Sequence, residues 1–349
     1  MMTTGEFPDK FKYIGEFTDK FKYTPEKQIG SGAYGDVWAV VHPSGNHNAV
    51  KVLIVDDEFI KLSTLREIML LSHFTRSSNV NVIHLLDVMY IRNCIYIVIP
   101  LLDTDLYKVI CSSQSLSTNH ITFIMHQILQ GLGHIHACSV VHRDLKPSNI
   151  MMNRDYHLQI ADFGLARGIP ISKNDSNYMP MTTYVATRYY RAPEVLCEAN
   201  YSTPIDVWAA GCIFAELLER KALFRGKNPM DQLAKIIRTL GMPSKQEMEE
   251  CASKDAFKYM SFNSEKCDTT PFSALYPYAD ENVHELLTSM ICWSPKRRCT
   301  AAEAANHPLF ESLWRKVNKS VTIEFEPCCE EMPPDAVFGE IDKIRGICN

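Results

Sequence analysis

Two short segments in the middle of the chain carry side chains spaced for group transfer. Val141 to Ile150 reads VHRDLKPSNI and Ala161 to Ala166 reads ADFGLA, so Asp144, Lys146, Asn149 and Asp162 bring carboxylates, an ammonium and an amide oxygen into two neighbouring segments. Moving a phosphoryl group needs little covalent help. It needs a carboxylate to accept a hydroxyl proton, cations to offset phosphate charge, and hard oxygen ligands for Mg²⁺. With Ala192-Pro193-Glu194 further on, the set is a compound signature whose chance occurrence is negligible.

Upstream, IGSGAYGDV places Gly30, Gly32 and Gly35 ahead of an apolar run. Glycines let backbone N–H groups approach phosphate oxygens, but a lone G-x-G-x-x-G is also a hairpin turn or a dinucleotide fingerprint. A strand, not a helix, is predicted to follow, and this excludes the dinucleotide unit. Lys51 lies on the next predicted strand in NAVKVL, and Glu67 falls in a helical stretch where its carboxylate could orient the lysine ammonium toward phosphate oxygens. Taken alone, a strand lysine is a solvated edge residue.

The elements that must position these groups change character along the chain. From Tyr23 to Leu102 short β-branched runs, at Val37 to Val41, Asn48 to Val55 and Cys94 to Ile99, predict an antiparallel sheet. One helix interrupts them at STLREIMLLSHF, with Ser63 as a candidate cap. Beyond Asp103 the period is helical, notably near 120 to 140, 203 to 221 and 230 to 241. An α+β chain with two lobes of unlike class follows, and the cleft between them is the expected place for chemistry.

The chain has 349 residues, enough for one two-lobed unit, and its net charge of -5 offers no global attraction to nucleic acid or an anionic membrane. The longest apolar runs are about nine residues, as from Cys94 to Leu102, half of a membrane span, and the N-terminus lacks an apolar signal region. Neither secretion nor membrane insertion is expected. Twelve cysteines without a Cys-x-x-Cys suggest reduced thiols and a cytoplasmic or nuclear location. The first 23 residues hold a tandem duplication, GEFPDKFKY at Gly5 to Tyr13 and GEFTDKFKY at Gly15 to Tyr23, and the stretch 1–22 ahead of the first lobe is assigned no function.

In these motifs the sequence resembles the eukaryotic protein kinases, in register from about Tyr23 to Phe310. The resemblance implies a bilobal α+β fold, with a small, mostly-β N-lobe over 23–102 carrying one long helix and a larger, mostly-α C-lobe over 103–310. Residues 311–349 would form an extension packing back along the lobes. By the same likeness Asp144 is the catalytic base, Lys146 contacts the γ-phosphate of ATP, Asn149 and Asp162 hold Mg²⁺, and Lys51 pairs with Glu67. Nucleotide contacts are implied along Ile29, Gly30, Ser31, Gly32, Ala33, Tyr34, Gly35, Asp36 and Val37. They are also implied at Ala49, at the hinge residues Ile99, Pro100 and Leu102, at Asp105, and at Met151 beneath the adenine. Pro100 keeps the carbonyl the base requires. Lys146 in HRDLKPSN resembles the serine/threonine-specific pattern.

The segment MTTYVATRYYRAPE resembles the activation segment of mitogen-activated protein kinases, with Thr182 and Tyr184 as the phosphorylated pair. Each phosphate adds about -1.5 to -2 charges and could pair with Arg66, Arg143, Arg188 or Arg191. DTDLYKVI and ALFRGKNPMDQLAKIIRTLGMPS add to the likeness. Implied partners are protein substrates with Ser/Thr-Pro sites, an upstream dual-specificity MAP kinase kinase, and phosphatases. Three departures stand out: Thr183 between the phosphorylated pair, Tyr189 where Trp is common, and the basic SLWRKVNKS where an acidic docking cluster is usual. Cyclin-dependent kinases are the runner-up, without their cyclin-binding helix sequence, and an inactive scaffold of the same fold is the alternative from another class. A zinc site at His134, His136, Cys138 and His142 has no matched ligand set. Arg298 is expected to pair with Glu194 rather than serve nuclear import.

Overall fold

The computed structural model describes residues 12–32, 35–55, 62–77, 79–168, 188–253, 269–316 and 343–344. The chain divides into two compact units, one built from Met1–Asn79, Ile83–Leu102 and Cys328–Asn349, the other from Val80–Val82 and Asp103–Pro327. Each has its own core.

The first unit is an antiparallel sheet of β1 (Thr24–Gly32), β2 (Gly35–Val41), β3 (His47–Ile54), β4 (Asp87–Ile91) and β5 (Cys94–Pro100), in the order β1-β2-β3-β5-β4. Directly paired residues share a face and neighbours in sequence alternate. Register therefore sorts the strands into two faces: Val37 opposes Lys51, Lys51 opposes Ile97, and Ala49 opposes both Ala39 and Ile99. The candidate nucleotide residues Val37, Ala49, Lys51 and Ile99 all fall on that face.

The other face carries Trp38, Val40, Val50, Val52, Tyr96 and Val98, all buried in one apolar cluster. A helix not expected from the sequence, α1 (Lys12–Phe21), covers it with Ile14 and Phe17. This helix contains most of the second copy of the duplicated motif. The one long helix expected in this unit is present as α2 (Leu62–Ser77), with Leu65, Ile68, Leu71 and Phe74 buried. Because it begins at Leu62, Ser63 lies inside its first turn rather than at the cap.

The second unit is built around two buried helices. α4 (Thr118–Ala137) starts with a capping box in which Ser117 and His120 exchange side-chain and backbone hydrogen bonds. It buries Ile121, Ile124, Ile128, Leu132 and Ile135 at helical spacing. After the short α5 (Pro193–Leu196), α6 (Pro204–Glu219) is buried from Ile205 to Leu217, so it reads as an apolar run, not an amphipathic stripe. Short ladders join β6 (Thr104–Asp105), β8 (Ile150–Met152) and β9 (Leu158–Ile160), and separately β7 (Val140–Val141) and β10 (Arg167–Gly168).

Two arginines close this unit. Arg220, left-handed at the end of α6, donates its guanidinium to the carbonyls of Val109, Ile110, Ser112 and Gln114, in and just beyond the last turn of α3 (Leu106–Cys111). Arg298 meets Glu194 at 2.7 and 3.2 Å with both side chains fully buried, donates to Pro204 O and Cys292 O, and lies over the Trp208 ring. The sequence expectation for Arg298 is met. Cys197 and Cys251 are buried free thiols, and burial pushes each up to about 12, so both behave as small apolar groups.

A buried pair is costly to break because the survivor keeps an uncompensated charge. Arg298→Ala is expected to lower unfolding free energy in urea by about 3–5 kcal/mol. A loss under about 1 kcal/mol would show that water or another group replaces the arginine.

Candidate active site

In the first unit the catalytic lysine candidate is held from α2. Lys51 Nζ donates to both carboxylate oxygens of Glu67, at 2.7 and 2.8 Å, and both side chains are largely sheltered, at 13% and 9% exposure. Such a bidentate pairing fixes the ammonium where a flexible lysine would wander. Gly30 and Gly32 end β1 opposite Val37 and Gly35. Gly35, at φ 105°, sits where an added Cβ would collide with the Val52 carbonyl, so only glycine allows this close approach of β2 to β3. Ile29 is exposed, and Ser31 and Asp36 face each other across the hairpin. Ala33 and Tyr34 lie outside the described residues. Ile99 and Pro100 end β5, followed by the buried Leu102.

In the second unit the segment His142 to Asn149 is fixed by a residue that sequence reasoning missed. Asp206, in the first turn of α6, is buried and accepts hydrogen bonds from His142 N at 2.8 Å, Arg143 N at 2.9 Å and the His136 ring at 3.0 Å. Burial alone would raise its carboxyl. The hydrogen bond and charge of His136, with His142, outweigh that and hold it below the usual carboxylate range. The one sequence signal was an acid at the start of an apolar helix.

From that anchor the loop is constrained residue by residue. Arg143 takes a left-handed φ of 70°, a conformation that persists only where surroundings impose it. The His142 ring packs on Phe163, accepts at Nδ1 from Asp144 N at 3.3 Å, and donates from Nε2 to Ala161 O at 3.1 Å. Ala161 N in turn donates to Asn149 O at 2.8 Å. Asp162 follows directly, itself left-handed at φ 68°. The two motif segments are thus tied together through Ala161.

The catalytic carboxylate candidate is asymmetric. Asp144 Oδ2 receives Lys146 Nζ at 2.5 Å and Asn149 Nδ2 at 3.1 Å, while Asn149 Nδ2 also donates to Asp144 O at 2.8 Å. Oδ1 accepts no hydrogen bond among the described residues and can receive a proton. Since its amide nitrogen is spent on Asp144, Asn149 has its Oδ1 left over, and with the Asp162 carboxylate this makes a pair of hard oxygen donors suited to Mg²⁺. Among the described residues no group of three or more His, Cys, Asp or Glu is arranged as a metal site.

Asp105 caps α3, accepting from Lys108 N at 2.9 Å and pairing with Lys108 Nζ at 2.8 Å. Met151, half-buried on β8, pairs with Asp105 across the ladder. Arginines gather near Asp144. Arg143 donates to Leu165 O and lies over Tyr201, with its Nε buried and unpartnered. Burial, and then the charge of Arg188, push Arg191 down from the ordinary guanidinium value, with Asp144 opposing. Thr182 and Tyr184 lie outside the described residues.

A glycine hairpin, a lysine clamped by a helix glutamate, and an Asp-Lys-Asn loop tied to a second Asp make up a protein kinase, and the protein kinase domain family matches residues 23–310. Mitogen-activated protein kinase homolog NTF3 from Nicotiana tabacum is 42% identical over 299 residues, 83% of this chain and 78% of that protein. Mitogen-activated protein kinase spk1 from Schizosaccharomyces pombe is 39% identical over 317 residues, 88% of this chain and 82% of that protein. The solved MAP kinase LmaMPK10 from Leishmania major superposes with a TM-score of 0.83 at 29% identity, over 97% of this chain and 99% of that one. The chain belongs to the mitogen-activated protein kinases, a group of ATP-using serine/threonine protein kinases.

The depressed carboxyl of Asp206 gives a signed pH prediction. A carboxyl lower in the folded than in the unfolded chain adds stability above the unfolded value of about 4, and this is lost as pH falls through the folded value. Asp206→Asn is expected to flatten the acid limb of a stability-against-pH curve. A limb identical to wild type would assign the acid sensitivity elsewhere.

Proposed function

We propose that this protein transfers the γ-phosphate of ATP to Ser or Thr followed by Pro in protein substrates, and that phosphorylation of Thr182 and Tyr184 switches it on. The observation that carries the reading is Asp144, with one carboxylate oxygen held by Lys146 and Asn149 and the other open.

In this mechanism the Asp144 Oδ1 takes the proton of the substrate hydroxyl as the new oxygen–phosphorus bond forms and the bond to the bridging oxygen of ADP breaks. Lys146 offsets charge on the transferred group, and Lys51, held by Glu67, offsets charge on the α- and β-phosphates. Asn149 Oδ1 and the Asp162 carboxylate would hold Mg²⁺, which would supply charge neutralisation at the phosphates when bound. The face bearing Val37, Ala49 and Ile99 takes the adenine, with Pro100 O and Leu102 N as its polar partners, and Met151 is a further apolar contact by family likeness. Asp105 receives the ribose, a role it would share with capping α3.

Support for the switch is electrostatic. Arg143 belongs to the loop itself, and Arg191 feels the charges of both Arg188 and Asp144, a cationic setting that favours an anion such as a phosphorylated Thr182. The upstream kinase for a Thr-x-Tyr pair is a dual-specificity MAP kinase kinase, phosphatases reverse it, and the reduced cysteines suit a cytoplasmic or nuclear setting.

Radiolabelled phosphate transfer from ATP, before and after treatment with an upstream dual-specificity kinase, tests this reading. Treated wild type is expected to label a Ser-Pro substrate far better than its Ser-Ala counterpart. Thr182→Ala with Tyr184→Phe is expected to stay at the untreated rate. Equal rates for that variant and wild type after treatment would remove the switch.

A further inference from the structure

One copy of the duplicated N-terminal motif is part of the core. Phe17 is fully buried and its ring stacks on Tyr96 at 5.0 Å, with Tyr23 at 5.0 Å and Phe21 at 5.5 Å around it. Ile14 enters the same cluster as Trp38, Val50 and Val52. Thr18 is buried within α1, its hydroxyl donating to Gly15 O at 2.9 Å.

The first copy repeats every aromatic at the same spacing, with Phe7, Phe11 and Tyr13 standing ten residues before Phe17, Phe21 and Tyr23. It differs where burial is tightest: Pro8 replaces Thr18, and Thr4 stands where Ile14 would be.

We propose that the outer face of this sheet is a docking site for a GEF-x-DKFKY helix, that both copies are candidate occupants, and that Pro8 and Thr4 assign the site to the second copy. A proline at the Thr18 position would lack the N–H that closes the helical turn, and its ring would collide with the carbonyl four residues back. A threonine at the Ile14 position would bring a hydroxyl into a hydrocarbon cluster. Seating the first copy would also leave the ten residues Ile14 to Tyr23 as a loop closed between adjacent positions. All three effects act in one direction. Val50 and Val52, which the docked helix covers, flank Lys51 on β3, so occupancy of this face bears on the strand that carries the catalytic lysine.

Two deletions separate the copies. Removing residues 2–11 leaves the second copy alone, whereas removing 13–22 joins the first copy to Tyr23 in register. The first deletion is expected to melt with the full chain and the second to melt roughly 5 °C or more lower. Adding Thr4→Ile and Pro8→Thr to the second deletion is expected to recover most of that loss. Equal melting of the two deletions, or no recovery, overturns the role of Pro8 and Thr4. Exchange is read in the full chain carrying Phe17→Asp, by hydrogen exchange over residues 4–13. Adding Thr4→Ile and Pro8→Thr there is expected to slow that exchange by about tenfold or more in a monomer. Unchanged exchange, or slowing only in a concentration-dependent dimer, overturns the claim that the first copy, once freed of Pro8 and Thr4, can occupy the same molecule's site.

Discussion

A single buried negative charge, the carboxylate of Asp206, constrains the path of the loop that carries the chemistry. A carboxylate inside a protein is tolerated only when hydrogen-bonded and offset. Here two of its donors are the backbone N–H groups of His142 and Arg143, so the chain must bring those amides to the start of α6. The left-handed Arg143 follows from that demand, and its neighbours inherit the result. His142 turns inward to bridge Asp144 and Ala161, and Asn149 folds back onto Asp144. The geometry of the candidate catalytic loop is thus imposed by a residue that touches neither nucleotide nor substrate in the proposed mechanism.

Division of labour between faces is the second constraint. In the five-stranded sheet, alternation puts the candidate nucleotide residues of β2, β3 and β5 on one side and bulky apolar residues on the other. Lys51 therefore sits between Val50 and Val52, which are anchored in the cluster beneath α1. The apolar side supplies rigidity, and the opposite side supplies the charged pair with Glu67. A substitution on the covered side need not touch the nucleotide to displace the lysine.

The legible parts of this protein were those whose signal is local. Asp144, Lys146, Asn149 and Asp162 stand in fixed spacings, and α4 and α7 (Pro229–Leu240) show clear apolar periods. Asp206 was opaque because its importance comes from residues some sixty positions upstream, and no local pattern marks an acid as a loop anchor. The helix α1 was missed for a related reason. At ten residues it owes its order to packing on Tyr96 and its neighbours, and short helices are marginal on intrinsic propensity. The strand β4 escaped notice because its mixed residues, Asp87 to Ile91, become a strand only by pairing with β5.

Single-turnover phosphate transfer by Asp144→Asn, in protein already phosphorylated on Thr182 and Tyr184, tests the central claim most directly. Nucleotide affinity measured on the same sample separates chemistry from binding. Transfer is expected to fall by about a hundredfold or more while ATP affinity stays within about threefold of wild type. Transfer at the wild-type rate would contradict the assignment of Asp144 as the group that receives the hydroxyl proton.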